Sequence, residues 1–185
     1  IQTAINMSSP LLPSYLVGLA SRDSLILEFS PTMISLILAG KVGSSIASEL
    51  GSMRVTEQID ALEIMGINSA SFLILPKVIA AVFFFPFLII ISMGIGMIGA
   101  WVGGLSADIT TADFMYGLKY EFTPFYISYA IIKTLFFAFI ISSVSAYFGY
   151  HTKGGAIAVG KASTTAVVTS SILILLFNYI LTDII

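Results

Sequence analysis

Four long apolar stretches, separated by shorter polar ones, dominate the chain. They lie at about residues 25–46, 72–105, 125–148 and 166–181. Such lengths approach or exceed the roughly 20 residues with which an α-helix crosses a hydrocarbon layer of ~30 Å. The pattern predicts an all-α fold, a polytopic transmembrane helical bundle of about four spans.

A polar stretch with helical spacing, residues 54–65, follows the first apolar stretch. Its apolar positions are Val55, Ile59, Leu62 and Met65, and its acidic positions are Glu57, Asp60 and Glu63, with Arg54 and Thr56 in its first turn. These spacings predict a short amphipathic helix that ends at Gly66. Helices lying on anionic membranes usually present Lys and Arg. We therefore expect the acidic side to meet another protein, with a merely solvated helix as the alternative.

Small residues form two stripes at helical spacing. The stripes contain Gly40, Gly43, Ser44, Ala47 and Gly51 in the first span, and Gly96, Gly99 and Gly103 in the second. Small side chains on one face of a membrane helix allow the backbones to approach closely. We expect these faces to pack inside one bundle, and a second copy of the chain is the open alternative.

Composition supports a membrane protein and excludes several other classes. Hydrophobic residues make up 57% of the chain and charged residues 10%, against about 25% charged in an average soluble domain. The net charge of -2, without a Lys/Arg cluster, argues against nucleic acid as a partner. Cysteines, metal-ligand spacings and Walker motifs are absent from the sequence, so we expect no metal, cofactor or ATP to be bound by this chain.

The sequence also predicts a domain organisation. We expect residues 1–185 to form a single transmembrane domain, and because the first residue is Ile1 rather than Met, we expect the native protein to begin upstream of it. Lysine and arginine are more frequent on the side that holds residues 54–65, where Lys41, Arg54, Lys77, Lys153 and Lys161 lie, than on the other, with Arg22 and Lys119. The positive-inside rule therefore places residues 54–65 in the cytoplasm.

Several motifs resemble the MlaE-type permeases, the membrane subunits of ABC systems that move lipids together with Mce-domain proteins. The resemblance is carried by AGKVGS at residues 39–44 and by ELGSMRVTEQIDALEIMG at residues 49–66. It continues through residues 75–80, 132–138 and 149–171, and covers the chain from Glu28 to Asp183.

The resemblance implies a non-enzymatic permease subunit in a multi-pass arrangement in the inner membrane. It implies that the chain forms a homodimer, that residues 54–65 are a coupling helix for a cytoplasmic ATPase, and that phospholipid passes through a cavity at the dimer interface. ATP and Mg²⁺ would bind the ATPase subunit, and an Mce-domain protein is the expected partner outside.

Four residues are candidates for the lipid pathway: Glu28, Pro31, Lys41 and Lys133. Ionisable groups inside spans are often functional, although Glu28 could be a solvated interfacial carboxylate and Lys133 could extend to the membrane surface. An ion-coupled secondary transporter is the alternative function, but it would favour ionisable groups near the bilayer midplane. An intramembrane enzyme would need a nucleophile beside a base, and the spans contain no histidine for that role.

Overall fold

The computed structural model describes residues 13–106 and 109–183. The long helices in these ranges are α1 (Tyr15–Val55), α3 (Ser69–Leu105), α5 (Phe125–Tyr150) and α6 (Ala156–Asp183). Two shorter helices connect them: α2 (Gln58–Ile64) between α1 and α3, and α4 (Thr111–Lys119) between α3 and α5. The four long helices are apolar enough to cross a membrane, which confirms the all-α prediction and the number of spans.

The helices extend beyond the predicted spans. Helix α1 extends past both ends of its predicted span, and α6 begins at Ala156, whereas the sequence interpretation placed a loop over residues 149–164. Residues 156–165 are rich in Gly, Ser, Thr and Lys, so their hydropathy is low although their backbone is helical. The hydroxyls of Thr164 and Thr165 donate to carbonyls one turn earlier, which satisfies these polar groups within the helix.

Large apolar side chains are exposed along the long helices. On α3 alone the exposed set includes Phe72, Phe83, Phe84, Ile95 and Ile98. A water-soluble monomer rarely exposes contiguous apolar surface of this extent. Together with the four long apolar helices, this exposed apolar surface indicates a multi-pass membrane protein.

The chain forms two compact units. Within the described residues, the first unit comprises residues 13–33 and 87–132 without 107–108. Its apolar core contains Val17, Ala100, Ile109 and Phe114. Thr110 caps the N-terminus of α4, because its hydroxyl oxygen accepts the backbone N–H of Asp113 at 3.2 Å. The start of α1 packs against α4 in this unit, and Arg22 joins the two by binding carbonyls at the end of α4.

The second unit comprises residues 34–86 and 133–183 of the described chain. One apolar cluster lies around Phe85, Phe137, Ile141 and Ile174. A second cluster combines residues of α1 and α5: Ile46, Leu50 and Ala146. Buried hydroxyls in this unit also bond to their own helix, as Ser142 does to the Ala138 carbonyl at 2.7 Å. This unit contains the connection between α1 and α3.

The connection is not the single helix that the periodicity of residues 54–65 predicts. Helix α1 ends at Val55, and Glu57 adopts a left-handed backbone conformation with φ of 59° before α2 begins. The predicted stop at Gly66 is confirmed, with φ of 77°. There the N–H of Ile67 donates to the Leu62 carbonyl and the N–H of Gly66 to that of Glu63, which together form a Schellman motif.

The left-handed conformation of Glu57 leads to a prediction about stability. Asn tolerates this conformation better than other residues with a side chain, so Glu57→Asn is expected to raise the free energy of unfolding by about 0.5 kcal/mol. The control is Gln58→Asn, at the neighbouring exposed position inside α2. Apparent unfolding temperatures in detergent would measure both. A lower unfolding temperature for Glu57→Asn than for Gln58→Asn would contradict the argument.

Candidate functional site

The connecting segment, residues 54–67, is anchored at one side and projects at the other. Ile59 is fully buried and Leu62 is half-buried, so the apolar side of α2 is held against the protein. Beyond them, Ile64 is 87% exposed and Met65 is 65% exposed. The Schellman turn at Gly66 therefore presents two large apolar side chains to the surroundings.

The acidic side of the segment is bound mainly within the chain. Asp60 accepts a hydrogen bond from Nη1 of Arg54 at 2.6 Å, and the guanidinium of Arg54 lies 5.7 Å from the centre of the Tyr150 ring. One carboxylate oxygen of Glu63 accepts hydrogen bonds from the hydroxyls of Ser69 at 2.8 Å and Tyr150 at 2.9 Å. The segment is thereby linked to the end of α1, the start of α3 and the end of α5.

These hydrogen bonds favour the ionised form of Glu63. The Ser69 hydroxyl, then the Tyr150 hydroxyl, and more weakly the charge of Arg54 hold the pKa of the Glu63 carboxyl below its ordinary value. A lowered folded-state pKa contributes stability that is fully present above the ordinary carboxyl pKa. That contribution is lost as the pH falls through the lowered value.

All three acidic residues are at least partly exposed, so each can still face a partner, as the periodicity predicts. Asp60 and Glu63 have partners inside the chain, while Glu57 is exposed at the turn before α2. An open surface depression of about 380 Å³ lies beside Glu63, and its lining residues are Glu63, Gly66, Ile67, Asn68, Ser69 and Tyr150. The outward surface of the segment is therefore an apolar tip beside a mainly polar depression.

Comparison with known protein families identifies the family of this chain. The family described as Permease MlaE matches residues 1–184. The chain belongs to this permease family. The resemblance inferred from residues 39–44 and 49–66 is thereby confirmed.

Individual relatives agree with the MlaE assignment. A probable ABC transporter permease protein of Rickettsia bellii is 43% identical over 161 residues, which are 86% of this chain and 62% of that protein. A probable ABC transporter permease protein of Synechocystis is 37% identical over 159 residues, 85% of this chain and 60% of the relative. Protein TRIGALACTOSYLDIACYLGLYCEROL 1, chloroplastic, of Arabidopsis thaliana is 37% identical over 161 residues, 84% of this chain and 45% of that protein. The chain spans about three-fifths of the bacterial and cyanobacterial relatives.

Three of the lipid-pathway candidates of this MlaE permease lie in π-helical segments of α1. Leu25–Met33 contains Glu28 and Pro31, and Ala39–Gly43 contains Lys41. Glu28 is half-buried and accepts a hydrogen bond from Thr32 at 3.4 Å, Pro31 is buried and Lys41 is exposed. Proline disturbs an α-helix by removing an N–H and crowding the preceding turn, and π segments are frequent at functional sites.

Lys133, the fourth candidate, is fully buried two turns inside α5. Its ammonium group donates to the hydroxyl of Thr182 on α6 at 3.3 Å. The sequence left open that this side chain extends to the membrane surface, and the structure instead buries it inside the second unit. A buried lysine is costly in a membrane, which keeps it a candidate for function.

The small-residue stripes divide into packed and open positions. A Cβ on Gly43 would lie 2.8 Å from the Ser145 hydroxyl, one on Gly51 3.2 Å from Val159, and one on Gly96 3.0 Å from Leu25. Ala47 is fully buried, and the carbonyl of Ser44 accepts a hydrogen bond from Ser163. By contrast, a Cβ on Gly40 or Gly99 would meet nothing within 4 Å, while Gly103 is half-buried.

Three residues of the site were not selected from the sequence: Ile64, Ser69 and Tyr150. Ile64 follows Glu63 directly and lies outside the stripe of Leu62 and Met65, so an apolar residue on the polar face was the signal that could have identified it. Tyr150 is 87 residues from Glu63, and no local pattern connects the two. Only the packing of α5 beside the connecting segment brings them together.

Proposed function

We propose that this chain is the permease subunit of an ABC transporter that moves phospholipid or a related lipid. The observation that carries this proposal is the connecting segment, in which Ile64 and Met65 are exposed while the neighbouring Asp60 and Glu63 are hydrogen-bonded within the chain. A separate cytoplasmic ATPase subunit would bind the tip formed by Ile64 and Met65. ATP and Mg²⁺ would bind that subunit, and the permease itself would be non-enzymatic.

Membership of the MlaE family and the names of the relatives support an ABC permease. A lipid substrate is supported by the Arabidopsis relative, which is named for trigalactosyldiacylglycerol, a glycolipid. The π-helical segments of α1 support a pathway that uses Glu28, Pro31 and Lys41, because such segments interrupt regular helical hydrogen bonding. Lys133 would add a buried positive charge able to interact with a phosphate group.

The assembly that we propose is a homodimer in the inner membrane, with an Mce-domain protein outside. The open positions at Gly40 and Gly99 leave room for a close approach of a second copy. In the proposed mechanism, nucleotide-driven closure of the two ATPase subunits moves the two connecting segments. The long helices carry this motion to a cavity between the copies, which alternately admits and releases lipid.

Co-purification tests the ATPase-docking surface. The full-length protein is expressed with its ATPase subunit, and Ile64→Asp is expected to weaken their association by at least about tenfold, because it removes about 1.5 kcal/mol or more of apolar burial and inserts a charge. Ile64 is 87% exposed, so the substitution leaves the permease fold intact.

The matched control is Ile157→Asp, at the start of α6, where the isoleucine is 91% exposed. It is expected to leave the association unchanged. A preparation of the unaltered protein without an ATPase subunit would overturn the proposed function. Loss of the ATPase from Ile157→Asp but not from Ile64→Asp would place the docking surface at the start of α6 instead.

A further inference from the structure

We infer that Glu63, through Ser69 and Tyr150, is the positioning residue that makes the connecting segment move as one body with the adjoining ends of α3 and α5. This inference rests on the proposed function, since it concerns how motion at the docking tip reaches the spans. Glu63 is exposed, and the inference gives its carboxylate a role in contacts within the permease.

The connecting segment has little rigidity of its own. Helix α2 has seven residues, and isolated helices of that length are not stable in water. The left-handed turn at Glu57 separates it from α1, and the turn at Gly66 separates it from α3. Contacts with the rest of the protein must therefore fix its position.

The apolar contacts of α2 are few. Ile59 is its one fully buried side chain, and Leu62, one turn later, is only half-buried. Ile59 lies near the start of the helix, whereas the exposed tip at Ile64 lies at its end. A force applied at Ile64 would rotate the helix about Ile59 unless a second contact held the far end.

Glu63 supplies that second contact at the residue before Ile64. Its carboxylate and the hydroxyls of Ser69 and Tyr150 form a triangle, with the two hydroxyl oxygens themselves 2.8 Å apart. The two hydroxyls hold one proton each, and an ionised carboxylate can accept both. Hydrogen bonds to a charged acceptor are about twice as strong as neutral ones.

The position of the triangle suits transmission of movement. Ser69 is 2% exposed and is the first residue of α3, while Tyr150 is the last residue of α5. Arg54 adds the end of α1, because it binds Asp60 and lies over the Tyr150 ring. The polar side of the connecting segment is thus joined to three long helices next to the proposed docking tip.

The distance between two spin labels, one on α2 and one on α5, measures directly how firmly the connecting segment is held. Residues 1–185 contain no cysteine, so once any cysteine elsewhere in the full-length protein has been replaced, Gln58→Cys on α2 and Phe139→Cys on α5 allow selective labelling of two exposed positions. In the full-length protein, pulsed electron resonance is expected to give a narrow distance distribution that stays narrow when ATP is added to the complex with the ATPase. Tyr150→Phe is expected to broaden it, and Glu63→Ala to broaden it further.

Two variants separate positioning from general destabilisation. Tyr147→Phe removes an exposed tyrosine hydroxyl on the same helix and is expected to leave the distribution narrow. Glu63→Gln keeps an acceptor oxygen without the charge, so its width should lie between those of the unaltered protein and Glu63→Ala. A distribution for Tyr150→Phe as narrow as that for Tyr147→Phe would overturn the inference.

Activity gives a second readout. In vesicles containing fluorescent phosphatidylethanolamine, Tyr150→Phe is expected to retain the ATPase subunit and its ATP hydrolysis. Lipid moved per ATP should fall, because the end of α2 next to the tip is then held by one hydrogen bond fewer. Unchanged lipid movement per ATP would contradict the inference. Absence of the ATPase from the unaltered protein would instead overturn the proposed function, while the distance measurement would still decide the role of Glu63.

Discussion

Arg22→Leu is expected to lower the free energy of unfolding by about 3 kcal/mol, because it removes a buried guanidinium and leaves two partly buried carbonyl groups without their charged donor. Arg22 is 2% exposed, and its Nη1 donates to the carbonyls of Leu118 at 3.0 Å and Tyr120 at 2.7 Å. Its Nε donates to Asp23 at 2.8 Å. A cation at the C-terminus of α4 also interacts favourably with the helix dipole.

Two further variants test this explanation. Arg22→Lys keeps the charge but loses the planar fork that reaches two carbonyls, so an intermediate loss is expected. Lys119→Leu removes an exposed charge of the same sign at the end of α4 and is expected to change stability by less than about 0.5 kcal/mol. Unfolding in detergent would measure all three, together with hydrogen exchange over residues 111–120. Equal losses for Arg22→Leu and Lys119→Leu would contradict the structural role of Arg22.

Gly149→Ala is expected to lower the free energy of unfolding by about 2 kcal/mol, although alanine is the better helix former by about 1 kcal/mol. A Cβ on Gly149 would lie 2.7 Å from the carbonyl oxygen of Ala47 and 3.0 Å from its Cα. Both atoms belong to the backbone of α1, so no change of side-chain rotamer can relieve the overlap. The steric cost therefore exceeds the gain in helix propensity.

Gly160→Ala is the matched control, since Gly160 also lies in a helix but has nothing within 4 Å of an added Cβ. It is expected to be neutral or to stabilise by up to about 1 kcal/mol. The apparent unfolding temperature of each purified variant would separate the two effects. If Gly149→Ala were as stable as Gly160→Ala, α1 and α5 could not approach as closely as the structure places them.

Hydropathy predicted the spans well because a membrane helix satisfies its own backbone groups and needs only an apolar exterior. This logic located α3 and α5 nearly to their ends, whereas the polar start of α6 was assigned to a loop. The same logic could not distinguish Gly43 from Gly40. Both are glycines of one stripe. A Cβ added to Gly43 would meet Ser145 of α5, whereas a Cβ added to Gly40 would meet nothing within 4 Å.

The connecting segment shows most clearly which features follow from the sequence and which depend on the tertiary structure. The sequence by itself determined an amphipathic stretch, its stop at Gly66 and, through the motif it contains, the permease family, because these depend on local spacing and residue identity. Only the tertiary structure decided which side of that stretch is free. Glu63 is exposed, as spacing alone predicts, but only the fold brings the hydroxyl of Tyr150, 87 residues further along the chain, to donate a hydrogen bond to its carboxylate. The partners of a polar side chain depend on which distant segments pack beside it, and the local spacing of polar and apolar residues contains no information about those segments.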